Sequence, residues 1–265
     1  RHTRYRRSSR GLGDVYKRQG PMTSNLLRLL VIPMEARVSD QPAFILRRRD
    51  WRNSSLLLDL FTRDYGCLRL LGRGARRSPA QAPYQPFALL TVGWSGKQEL
   101  KTLTGIEAIA LPVDESNYLA LLYINELIAA MLPQQDAHAD IFSAYLELLK
   151  IASEKLDEAS LREFELGMLR TLGYIPDISV DAQSGQPIRT EDYYQFVIDN
   201  GFVACAESER NSVSGRIVLD WSQGKYQQTA VSRLAKSVLR STIDFNLHGK
   251  ALKSRDVTLE MMTKR

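Results

Sequence analysis

Cationic and indole side chains crowd one stretch of this sequence. Arg47, Arg48, Arg49 and Arg52 surround Trp51, and Arg69, Arg73, Arg76 and Arg77 follow. Lys97 and Lys101 then flank a turn beside Trp94. Guanidinium groups pair with phosphate oxygens, and an exposed indole offers a base a stacking surface. These residue types together do the chemistry of a groove for single-stranded nucleic acid, where phosphate neutralisation supplies affinity and makes it salt-dependent. Two plainer readings compete: an ordinary solvated face, with Trp51 and Trp94 in the core, or a basic face that takes an acidic protein.

Other chemistries lack their residues. Gly72-Arg73-Gly74 has no Gly-Lys-Ser/Thr ending and no third glycine at dinucleotide spacing. Gly93-Trp94-Ser95-Gly96 is not a nucleophile elbow, and no His-Glu-x-x-His string occurs among the three histidines. His138 and His248 read as capping or surface residues. Cys67 and Cys205 are too few for a disulfide framework or a multi-cysteine zinc module, and suit a reducing cytosol. No apolar run approaches the roughly 20 residues of a membrane helix. The expectation is a protein without catalytic residues, cofactor or metal.

Charge divides the chain. The formal net charge is +6 over 265 residues. Residues 1–20 carry +6, residues 41–112 carry +6 and residues 113–265 carry −6. Residues 1–37 read as a disordered extension, and Ser8 to Gln19 looks like translated adapter sequence, so that Met22 or Met34 would be the start. With 44% hydrophobic residues the remainder can build real cores.

The elements that would position the cations are short strands. Pro42–Arg48 and Ser54–Thr62 are extended runs joined by the polar link 49–53. Cys67–Leu71 alternates, Phe87–Val92 is a fourth strand, Trp94 to Lys97 a hairpin turn and Glu99–Ile109 a fifth strand. Five such strands suit a small OB-fold barrel over 38–112. Past Pro112 the period becomes helical: Asn117–Leu132, His138–Lys155, Ser160–Leu172, Thr229–Leu247 and a last short helix over Leu252–Met262. Ser160 and Glu163 have capping-box spacing, with Gly173 as the stop. Residues 174–212 read as an irregular insertion with a hairpin near Tyr193–Ala206. The fold class is therefore α+β: a five-stranded barrel followed by a helical bundle over 113–265.

Several strings in order resemble one family. Ala43-Phe44-Ile45-Leu46-Arg47-Arg48 with Ser54 to Arg63, Gly74-Ala75-Arg76-Arg77, Gln85-Pro86-Phe87 and Glu99 to Leu103 are similar to bacterial RecO proteins. Tyr123-Ile124-Asn125-Glu126-Leu127, Phe164-Glu165-Leu166, Leu172-Gly173-Tyr174 and Gly249 to Arg255 continue the likeness. The resemblance implies a cytoplasmic, nucleoid-associated recombination mediator. Such a protein binds single- and double-stranded DNA, anneals strands coated by single-strand-binding protein and, with RecR, promotes RecA loading. It implies that the acidic tail of single-strand-binding protein docks on the helical domain. Arg233, Lys236 and Arg240 are candidates for that contact by spacing, and Lys253 and Arg255 match a motif that adds a DNA contact or caps the terminal helix. Many members bind zinc through four cysteines in the segment matching 174–212; with Cys205 alone there, this chain resembles the zinc-free branch.

Overall fold

Short apolar runs, some of them alternating with polar side chains, give five strands: β1 (Arg37–Trp51), β2 (Ser55–Thr62), β3 (Gly66–Gly72), β4 (Ala88–Ser95) and β5 (Leu100–Ala110). In the computed structural model, which describes residues 37–78 and 82–255, they close into a barrel in the order β1-β2-β3-β5-β4. β4 pairs back onto β1, and the β3–β5 pair is parallel. This is an OB-type barrel. The basic extension, its Met22 or Met34 start and the last helix past Arg255 lie outside the described residues.

The barrel interior is filled by Ala43, Ile45, Leu58, Leu60, Leu70, Leu90, Val92 and Trp94. A register shift between Ile45 and Arg47 turns successive side chains differently from strict alternation. Ile45 stays inside, whereas Phe44 and Leu46 join the core of the helical half. Phe44 packs on Phe142 at 4.8 Å and edge-on to Tyr145 at 4.9 Å, and Phe61 meets Phe142 at 5.4 Å. One end of the β1–β2–β3 outer face is thereby covered by helices. Gly66 lies at this seam with φ +64°, and a Cβ there would sit 2.0 Å from the Asp136 carbonyl oxygen.

The helical half comprises α1 (Tyr118–Met131), α2 (Ala139–Ile151), α3 (Glu158–Thr171), α4 (Gly215–Ser222) and α5 (Thr229–Asn246). Between α3 and α4 lies a three-stranded antiparallel sheet, β6 (Tyr193–Val197), β7 (Gly201–Cys205) and β8 (Val213–Ser214), in the order β7-β6-β8. The helix before Gly173 begins earlier than the Ser160 spacing suggests. Asp157 is its N-cap and accepts from the Ser160 amide at 2.8 Å and the Ser160 hydroxyl at 2.7 Å, so Ser160 is a donor to the cap. Helix α4, which carries the buried Trp221, falls between the insertion and the Thr229 helix, where the sequence reading assigned no element.

Buried polar groups join the pieces. Asn125 of α1 donates to the Ile45 carbonyl at 3.3 Å and accepts a hydrogen bond from the Tyr145 hydroxyl, tying barrel, α1 and α2. Asn117 donates to the Ala152 and Glu154 carbonyls and accepts from the Leu156 amide, stapling α1 to the α2–α3 connection. Each group is satisfied, as interior polar atoms must be.

Candidate nucleic-acid interface

Past the bulge, the uncovered part of the β1–β2–β3 outer face is where the arginines gather. Arg47 stands opposite Asp59 on β2, which stands opposite Arg69 on β3. The Asp59 carboxylate bridges two cations, with Arg49 Nη2 at 3.1 Å and Arg69 Nε at 2.8 Å. Each guanidinium has five N–H donors, so these pairs orient the fork and leave donors turned to solvent.

β1 runs on through Trp51, beyond the polar link expected at residue 49, so Arg49 and Trp51 are strand residues with fixed directions. The turn is left to Arg52, which takes φ 52°, with Asn53 and Ser54. Gly72 of β3 pairs with Leu56, which returns the chain to the same end of the barrel. There the 3-10 turn Ala75–Arg77 is held by the Arg76 amide donating to the Ser54 carbonyl at 3.0 Å. Arg76 Nη2 also reaches Asp50 at 3.2 Å. A shallow cleft of about 730 Å³ results, lined by Trp51, Arg52, Ser55, Leu71 and Arg73. Trp51 is 39% exposed. The structure thus brings together Arg49, Trp51, Arg52, Arg69, Arg73, Arg76 and Arg77. Lys97 is exposed in the β4–β5 hairpin, and Leu100 after it pairs with Arg69. Such a surface can neutralise a run of phosphates and stack one base.

Two candidates do not belong to it. Trp94 lies within β4 instead of the turn, is 1% exposed and packs edge-on to Tyr65 at 5.2 Å in the barrel core. No base can reach its ring. Lys101 pairs with interior Leu70 and is 4% exposed, with its ammonium donating to the Gln98 carbonyl at 3.0 Å. Desolvation lowers its pKa, the signature of a cation held away from water. Arg48 is exposed but committed at one end to the Tyr84 carbonyl at 3.2 Å.

The carboxy-terminal cations separate. Lys253 is exposed, whereas Arg255 lies over the Tyr123 ring at 5.5 Å and pairs with Asp244. Arg255 is therefore a fastening between the last described turn, α1 and α5, and a poor DNA contact. Glu126 completes that fastening: it accepts from the Lys253 and Ser254 amides at 3.0 and 2.9 Å and from the Ser254 hydroxyl, with Arg47 4.0 Å away. Burial pushes the Glu126 carboxyl up, but the hydrogen bonds and Arg47 more than offset this and hold its pKa below the ordinary carboxylate value. A depressed carboxylate contributes stability that is present above its ordinary pKa and lost as pH falls through the lowered one. Acidification below about pH 4 accordingly strips hydrogen-exchange protection from the Lys253 and Ser254 amides, measured by NMR against the α5 amides as reference. Glu126→Gln shows the loss already at neutral pH, and unchanged protection in that variant would contradict the role.

On the helical half, a second cavity of about 460 Å³ opens between α1 and α5. Leu119, Ala120 and Tyr123 give it an apolar wall, and Arg162, Lys236, Arg240 and Arg255 surround it with cations. Arg162 is fixed by Glu165, which is fully buried, at 2.5 Å, while the Tyr123 hydroxyl donates to the same carboxylate at 2.6 Å. Lys236 pairs with Glu158 at 3.1 Å and Arg240 with Asp244 at 3.7 Å. Arg233 is exposed on α5 but does not line this cavity, so it drops out of the group. Arg162 was not singled out by sequence, although its i−4 and i+3 spacing to Glu158 and Glu165 marks an ion-paired helix face. The zinc segment offers no ligand set: among the described residues no group of three or more His, Cys, Asp or Glu could hold a metal.

The family "Recombination protein O N terminal" matches residues 34–112, and "Recombination protein O C terminal" matches residues 113–256. The chain is 37% identical over 230 residues to the DNA repair protein RecO of Yersinia pestis (strain Pestoides F), covering 84% of this chain and 95% of that protein. It is 36% identical over 220 residues to the DNA repair protein RecO of Actinobacillus pleuropneumoniae serotype 5b (strain L20), covering 81% and 92%. With a barrel and helical half matched along nearly their whole length, the chain belongs to the RecO family of DNA repair proteins.

Proposed function

We propose that this chain is a non-enzymatic recombination mediator. Its barrel (38–112) binds single- and double-stranded DNA and anneals complementary strands coated by single-strand-binding protein. With RecR it promotes RecA loading, in the cytoplasm at the nucleoid. The observation that carries the reading is the exposed Trp51 in a cleft with Arg52 and Arg73 at one barrel end, with Arg76 and Arg77 on the adjoining turn and Arg49 and Arg69 joined through Asp59 on the same outer face. Two DNA strands repel through their phosphates, so pairing is slow until that charge is screened. An arginine surface that reads no base edges does this for any sequence, leaving Watson–Crick pairing to choose the partner.

The helical domain (113–265) serves protein contacts in this reading. Its net charge opposes DNA, but the cavity edged by Arg162, Lys236, Arg240 and Arg255 is locally cationic over an apolar wall. That chemistry fits an acidic tail ending in an apolar residue, such as the tail of single-strand-binding protein. Annealing of complementary oligonucleotides, bare and coated with single-strand-binding protein, tests both halves. The chain accelerates both reactions, and Lys236→Glu with Arg240→Glu slows only the coated one. Equal loss on bare strands would place those residues in the DNA surface, and no acceleration of either reaction would refute the mediator reading.

A further inference from the structure

Two cavities flank the first half of α1, and they meet. The tail pocket lies on one side. On the other, a cleft of about 720 Å³ follows the seam between β1 and α1. Its floor includes Leu46, Leu119 and Leu122, and its rim carries Arg47, Arg48, Arg49 and Lys253. Leu119 and Ser254 line both cavities, so an extended chain can pass from one to the other without leaving the surface. Leu122 is 42% exposed, an apolar side chain left open among cations.

We infer that the seam cleft binds the acidic, aliphatic stretch of polypeptide that precedes a carboxy-terminal tail seated in the neighbouring pocket. This rests on the tail reading above and extends it to a second subsite. Four cations and one carboxylate line the cleft; Glu126 is engaged by the Lys253 and Ser254 amides and Arg49 is paired from outside with Asp59, which still leaves the cations in excess. The net field therefore favours an anionic occupant. The floor decides which anion. Among the described residues no aromatic ring lines the cleft, so these offer bases nothing to stack on, whereas leucines suit the aliphatic side chains of a peptide. Six extended residues span about 20 Å and twelve about 40 Å, so the longer chain reaches well beyond a terminal anchor.

The arrangement has a regulatory consequence. Arg47, Arg48 and Arg49 rim the cleft, and Arg49 also shares Asp59 with Arg69 on the DNA-facing surface. A long acidic tail and a DNA strand therefore compete for the same guanidiniums. Engagement of DNA weakens the hold on the upstream tail while leaving the terminal anchor in place, which lets a strand be stripped of its coating protein without losing that protein.

Fluorescence anisotropy with two labelled synthetic peptides tests this on the full chain. The short probe is Gly-Asp-Asp-Asp-Leu-Phe with a free carboxylate; the long probe adds six alternating Asp and Leu residues before it. The long probe binds at least about tenfold more tightly than the short one at moderate salt. Leu122→Asp removes that gain and leaves the short probe within about twofold, with Leu122→Ser as a milder partner and the thermal transition as fold control. Single-stranded DNA displaces the long probe more readily than the short. Equal affinity of the two probes overturns the inference. If the long probe binds and is sensitive to Leu122→Asp while the short one does not bind, the cleft stands and the tail pocket fails. Loss of single-stranded DNA affinity in Leu122→Asp would make the cleft a DNA path, and loss of a dimer would assign it to a second copy; either overturns the inference.

Discussion

A chain carrying Arg52→Glu, Arg73→Glu and Arg77→Glu binds random single-stranded DNA at least about a hundredfold more weakly than the parent near 50 mM salt. These three are chosen because, among the described residues, none of them enters an ion pair; Arg49 and Arg69 share Asp59, and Arg76 pairs with Asp50. Reversing Arg69 would set two carboxylates against each other across β2 and β3 and confuse binding with folding. All three selected side chains are exposed, so stability changes stay within about 0.5 kcal/mol. Each lost phosphate contact also lowers the slope of log affinity against log salt by about 0.7, so the triple variant's slope is shallower by about 2. Anisotropy titrations at several salt concentrations measure both. An affinity drop with an unchanged slope would mean that these arginines do not meet phosphates.

The second large effect separates two tryptophans that look alike in sequence. Trp94→Ala destabilises the fold by about 3–5 kcal/mol, because it empties a fully enclosed site at the barrel centre and removes the edge-on contact with Tyr65. Trp51→Ala leaves the unfolding free energy within about 0.5 kcal/mol of the parent but costs about 1–3 kcal/mol of single-strand affinity through lost stacking. Urea unfolding and DNA titration of both variants give four numbers, and the two effects must cross. A stable Trp94→Ala with impaired DNA binding would return Trp94 to the surface and contradict the packing described here.

The contrast shows what was legible. Strand periodicity, the change of period after Pro112 and the glycine stop at Gly173 could be read directly, since each depends on local pattern. The clustering of Arg73, Arg76 and Arg77 with Trp51 could be guessed only as a shared composition. It depends on β3 returning antiparallel to β2 and on one backbone hydrogen bond from Arg76 to Ser54. Trp94 and Lys101 were misplaced because hairpin ends were set by the glycine at Gly96, whereas the ladder pairs Trp94 with Leu103 and Ser95 with Thr102 and keeps both strands going. Period-two alternation would have put Trp94 on the same side as Leu90 and Val92, which was the available signal. The bulge at Ile45 and Arg47 has no such mark, and it decides which side of β1 meets the helices. Glu126 and the Tyr123 ring owe their importance to partners far along the chain, which no spacing rule reaches, whereas Arg162 carried a local signal in Glu158 and Glu165 one helical turn away.

The central claim is that single-stranded DNA lies across the barrel end at Trp51. The chain has three tryptophans, of which Trp94 and Trp221 are each 1% exposed and Trp51 is 39% exposed. Intrinsic fluorescence during a titration with unlabelled random single strands therefore reports on one residue. The expected result is partial quenching that saturates with added DNA, weakens steeply as salt rises and disappears in Trp51→Phe. Binding that is detected by another method but leaves the Trp51 emission unchanged would contradict it.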